Sequence, residues 1–73
     1  KVGKFFKVEE ATLSEDCAYV TVVNTNESLV ATIDKKANKN FAEIKAGDNL
    51  MLWYDMMTMS LPARTNANKV VVL

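Results

Sequence analysis

Four methionines crowd a single tryptophan: Met51, Met56, Met57 and Met59 lie beside Trp53. Thioethers are soft ligands that select Cu(I) over harder ions. If the chain stays extended here, Met57 and Met59 share a strand face and their sulfurs can converge, with Trp53 as a cap. The competing use is commoner: unbranched, polarizable methionines fill irregular gaps at a barrel end. The chain has no histidine, so the usual imidazole partner of a soft-metal site is missing. The expected cofactor set is therefore none, with Met57, Met59 and Trp53 the residues a copper ion would use.

The other reactive side chains argue against catalysis. A general acid–base pair needs two carboxylates in a pocket that drives their pKa values apart. Glu9, Glu10, Glu15, Asp16 and Glu27 instead fall in polar stretches and read as solvated turns. They also lack the alternating oxygen ligands and closing bidentate Glu of a calcium loop. Serines and threonines have no histidine, and no plausible lysine, to activate them. We expect no enzymatic activity.

Lys35, Lys36 and Lys39 form a basic loop that offers an anionic contact. The chain carries nine Lys+Arg against nine Asp+Glu and is formally neutral, so the broad positive field of a nucleic-acid binder is absent. A single-strand binder also needs stacking aromatics, and the second and third strands supply only Tyr19. Nucleic acid is therefore not the expected partner. Phe5 and Phe6 are adjacent, so in a strand one ring faces inward and the other outward. An outward Phe5, joined by Trp53, makes an apolar patch, and such patches are often interfaces. Self-association or a protein partner is the expected use of Phe5 and Trp53.

These residues must be positioned by a small fold. At 73 residues the chain is a single domain, 1–73, that buries only about 60% of its unfolded surface. Such a core supplies roughly 3–5 kcal/mol, and one cysteine allows no internal disulfide. Cys17, among apolar neighbours, reads as a small buried hydrophobe. The chain starts at Lys1 without an initiator Met, and we expect a fragment or processed form of a longer protein. No run reaches the roughly 20 apolar residues of a membrane span.

Apolar residues come in short runs separated by turn chemistry, which predicts an all-β chain. The first strand is expected over residues 2–8, with 9–16 as strand end and turn. Residues 18–23 carry the strongest strand signal, rich in β-branched side chains. Residues 24–27 form a polar hairpin connection, since Asn tolerates positive φ. Leu29, Ala31 and Ile33 alternate with Ser28, Val30 and Thr32 as a third strand, paired to the second. Residues 34–40 are a basic loop with one helical turn around Lys35–Lys39, pinned to the core by Phe41 and Ile44. Gly47 supplies a permissive backbone for the turn at 46–48. The fourth strand covers 50–56, Pro62 breaks the pattern because it cannot donate to a ladder, and 67–73 form the fifth. Curling into a barrel removes the exposed edges of such a sheet. Three strands, a connecting segment, then two strands is the order of a five-stranded OB-like barrel; an SH3-like barrel is the runner-up.

Three pieces of the last third of the chain occur together: the Gly47-Asp48 turn opening a strand, Trp53-Tyr54-Asp55 at its end, and the stretch from Thr58 through Ser60-Leu61-Pro62 to Ala67, leading into Lys69-Val70-Val71-Val72. This combination resembles a group of small OB-like domains in secreted proteins, surface proteins and lipoproteins of Gram-positive bacteria. Ala63 stands where a second proline is common in that group. The resemblance implies an extracytoplasmic location and that the chain is one domain of a longer protein, and it transfers no catalytic residue. The expected function is a non-catalytic accessory or interaction module of a Gram-positive surface protein. The alternative function is ligand binding: single-stranded nucleic acid or oligosaccharide across the second and third strands, or Cu(I) at the methionines.

Overall fold

A computed structural model describes residues 3–73. Lys1 and Val2, of which Val2 opens the expected first strand, lie outside the described residues. Five strands, β1 (Lys4–Leu13), β2 (Cys17–Val23), β3 (Ser28–Asp34), β4 (Asn49–Met57) and β5 (Arg64–Val72), close into a barrel of order β1-β2-β3-β5-β4. A single 3₁₀ turn, Phe41–Glu43, lies between β3 and β4. β5 leaves its hairpin with β4 to pair in parallel with β3, which a plain meander of antiparallel neighbours does not do. The expected OB-like barrel is present, and the SH3-like alternative is set aside.

Alternation places the core. On β2 and β3, Ala18, Val20 and Val22 meet Leu29, Ala31 and Ile33 inside the barrel, every one buried. Phe6 on β1 and Leu50 and Leu52 on β4 complete the centre with no exposed surface. Thr65 is a buried polar residue, and its hydroxyl donates to the Met56 carbonyl. That bond offsets the desolvation of an inward hydroxyl.

Two bulges explain where the observed strands outrun the expected ones. Val8 pairs with Val22 and Glu10 with Thr21, so Glu9 is an extra residue in β1. The insertion resets the period of two, and β1 runs on to Leu13 through the acidic stretch expected to be a turn. In β5, Trp53 pairs with Lys69 and Tyr54 with Ala67, leaving Asn68 extra. β5 therefore starts at Arg64 rather than Ala67.

The remaining connections are tied locally. Asn24 Oδ1 accepts from the Asn26 and Glu27 amides at 2.9 Å each, and its Nδ2 donates to the Phe5 carbonyl. Gly47 has φ +95°, in the region that favours glycine. It donates to the Val8 carbonyl, and the Val8 amide donates to the Asp48 carbonyl, both at 2.8 Å, so this turn is stitched to β1. The Asp48 carboxylate accepts from the Lys45 amide at 3.0 Å and the Lys45 ammonium at 3.1 Å. Those bonds, led by the one to the Lys45 backbone, hold its pKa below the ordinary carboxylate value.

Candidate functional site

The basic loop turns out to cover an edge. Ala37 is buried, and its carbonyl accepts from the Val70 amide at 3.1 Å. Asn38 Nδ2 donates to the Val70 carbonyl at 3.0 Å. Both backbone groups of Val70 that would otherwise face solvent are therefore satisfied by residues 37 and 38, a protection that sheet edges require. Lys35, Lys36 and Lys39 are exposed around this buried anchor. The loop forms turns here, and the expected helical turn is displaced to Phe41–Glu43. Phe41 packs on the core and Ile44 is buried, as their pinning role requires.

The methionines do not converge as the sequence reading required. β4 ends at Met57, which packs against the core, whereas Met59 lies beyond the strand and is 93% exposed. A shared strand face for Met57 and Met59 is thus corrected: the strand stops before Met59 can join it. Residues 58–64 close on themselves through Thr58 Oγ1, which contacts Ser60 Oγ and accepts from the Arg64 amide. Met56 and Leu61 are also largely solvent-exposed. Cys17 is half-buried rather than buried, because it shares the outward parity of Tyr19 and Thr21 on β2. Cys17, two residues away on the same face of β2, is the largest influence on the Tyr19 phenol and pushes its pKa up.

Phe5 and Trp53 do belong to one surface. Phe5 pairs with Met51, and Met51 pairs with Val71, so the three form one row across β1, β4 and β5. Their inward neighbours Phe6, Leu50, Leu52 and Val70 are buried, which fixes the row on the outer face. Phe5 is 51% exposed. Trp53 lies two residues along β4 on the same side, half-buried. The Lys69 ammonium sits 5.3 Å from its ring centroid, a cation–π distance. Lys7, paired with Asn49, flanks the row on its other side. The apolar row thus lies between two exposed lysines.

This surface opens at one end of the barrel into a shallow groove of about 790 Å³, lined by Lys4, Phe5, Lys7, Val23 and residues 24–27. A polar cluster guards the groove. Lys4 Nζ donates to Glu27 Oε2 at 3.0 Å and to the Tyr54 hydroxyl at 3.1 Å, and it lies 5.4 Å from the Tyr54 ring centroid. The Tyr54 bond, then the Glu27 bond, raises the Lys4 pKa and keeps it charged. This cross-strand cluster was not visible in the sequence, since Lys4, Glu27 and Tyr54 are brought together only by barrel closure.

The chain matches no protein-family model, no curated protein and no solved structure. No helix among the described residues is long and apolar enough to cross a membrane.

Proposed function

We propose that this domain is a non-catalytic interaction module that docks on another protein through the outer face of β1, β4 and β5. The observation that carries the reading is the row Phe5–Met51–Val71, in register across three neighbouring strands and flanked by Trp53. An apolar centre with a polar rim is the anatomy of a protein interface. The rim selects the partner. A two-fold pairing of this face with itself brings the Lys7 and Lys69 side chains of both copies into one interface, and like charges there are costly. The complementary surface is a protein or neighbouring domain with an apolar centre and an acidic rim. The resemblance of the last third of the chain to OB-like domains of Gram-positive secreted and surface proteins supports an extracytoplasmic setting.

Site-specific photo-crosslinking in the producing cell tests this. A benzoylphenylalanine in place of Met51 is expected to trap one defined protein, identified by mass spectrometry. The same probe in place of Glu15, in the exposed β1–β2 connection, traps none, and Lys7→Glu/Lys69→Glu abolishes the product. A self-crosslinked dimer, or a product unaffected by the charge reversal, refutes the assignment.

A further inference from the structure

The last residues of β5 leave a short stretch of sheet edge open. In an antiparallel ladder alternate residues exchange both backbone bonds, and those between turn their N–H and C=O away from the partner strand. The Leu73 amide donates to the Asn49 carbonyl at 2.8 Å, which sets the phase of the β4–β5 ladder. Val71 opposite Met51 is then a bonded pair. Val70 and Val72, opposite Leu52 and Leu50, turn their backbone groups away from β4. Val70 meets the Ala37 carbonyl and the Asn38 side-chain amide there. Val72 meets no hydrogen-bond partner among the described residues. The parallel pairing with β3 ends at Asn66, so no other strand reaches this edge.

A groove of about 520 Å³ lies beside Val72, between the end of β5 and the segment 38–45. Asn38, Asn40, Glu43 and Lys45 give it a polar lining. Asn40 precedes the 3₁₀ turn but makes no side-chain capping bond to it, which leaves its carboxamide free for another partner. Lys45 is neutralised by Asp48 at 3.1 Å. Glu43 is exposed and forms no ion pair among the described residues, so the uncompensated charge in the groove is negative.

We propose that the open edge at Val72 binds an extended, basic peptide segment by strand addition. Val72 presents one donor and one acceptor, the pair that an added strand satisfies. The Asn40 carboxamide offers the same pair to the far edge of the added chain, and Glu43 favours a Lys or Arg side chain on it. Ala37 and Asn38 already occupy Val70, so the added chain cannot run on along β5. That block keeps the contact short, and it spares the domain a long open edge that would template aggregation. The site is separate from the apolar row on the outer face and does not rest on it.

The test is titration of the ¹⁵N-labelled domain with the peptide acetyl-Thr-Val-Lys-Val-Thr-amide. The amides of Asn40, Val72 and Leu73 are expected to shift, and solvent exchange of the Val72 amide slows about tenfold or more. Val72→Pro removes a donor that the β4 ladder does not use, as edge positions allow, and raises the Kd about tenfold. Val72→Ala keeps the backbone and binds within about threefold of the parent. The same peptide N-methylated at every residue cannot donate and does not bind, a control that leaves the protein untouched. Glu in place of the peptide's Lys weakens binding about threefold or more. Phe5→Ser leaves the titration unaltered. Absence of shifts at Val72 with millimolar peptide, equal binding of the N-methylated peptide, or a preference for the Glu peptide overturns the proposal. Concentration-dependent shifts of Val72 in the free domain also overturn it, because the edge would then pair with a second copy of the chain.

Discussion

Gly3 lies directly against the indole of Trp53: a Cβ at position 3 would fall 2.5 Å from Trp53 Cε2 and 2.9 Å from Nε1. The absent side chain therefore makes room for the ring, and the ring in turn carries Lys69 above it. Gly3→Ala is expected to push the indole off this seat. Its fluorescence shifts to the red, and the cation–π contact, worth about 0.5–1 kcal/mol at an exposed site, is lost. An unchanged emission maximum together with an unchanged Tm would contradict this packing.

Phe6 tests how thin the margin of stability is. Its ring is fully buried at the centre of the barrel, and Phe→Ala in such a site costs about 3–5 kcal/mol. A core in a chain of this size supplies about the same amount. Phe6→Ala is expected to be unfolded at room temperature by circular dichroism, whereas its neighbour Phe5→Ala, half-exposed, retains the native spectrum. A folded Phe6→Ala variant would mean that stability resides outside this core.

The loop at 35–40 separates structural from surface roles within a few residues. Asn38→Ala leaves the Val70 carbonyl without its side-chain donor and is expected to cost about 1 kcal/mol. Lys35→Ser, Lys36→Ser and Lys39→Ser, each made alone, are expected to change stability by no more than about 0.5 kcal/mol. Urea denaturation distinguishes them from Asn38→Ala, and a larger loss at any of the lysines would show that it holds the loop.

Asp48 gives a pH dependence of known sign. Its carboxylate has a lowered pKa in the folded state, so it contributes stability that is present above the unfolded value, about 3.9, and lost as pH falls through the folded pKa. Asp48→Asn is expected to be less stable than the parent at pH 6, and the difference should shrink below about pH 4. Denaturant midpoints measured across that range check it; a gap independent of pH would exclude the carboxylate as its source.

The barrel was legible from alternation wherever the strands are unbroken. Leu29, Ala31 and Ile33 announce β3 because nothing interrupts their period, and Asn24 and Gly47 mark turns through their own side-chain and backbone chemistry. Bulges defeat the same logic. Glu9 and Asn68 each add a residue, so Ala11 and Thr65 fall out of phase with their strands and the true ends of β1 and β5 are hidden. The candidate sites were partly legible. The adjacency of Phe5 and Phe6 signals an outward ring, but the row with Met51 and Val71 depends on a register that pairs positions far apart in the chain. Tyr19 was visible as an aromatic on β2. Its surroundings were not, because Arg64 and Asn66 reach it only through the parallel pairing of β5 with β3.

That pairing also dictates when the molecule can become a barrel. β5 is the last strand in chain order, yet it seals β3 on one side and β4 on the other. A ribosome adds residues at about 5–20 per second, so until residues 64–72 have been added β3 and β4 each keep a border that β5 alone can pair. Closure must wait until residues 64–72 clear the exit tunnel, because unpaired strand borders are the sticky surface of an unfinished sheet.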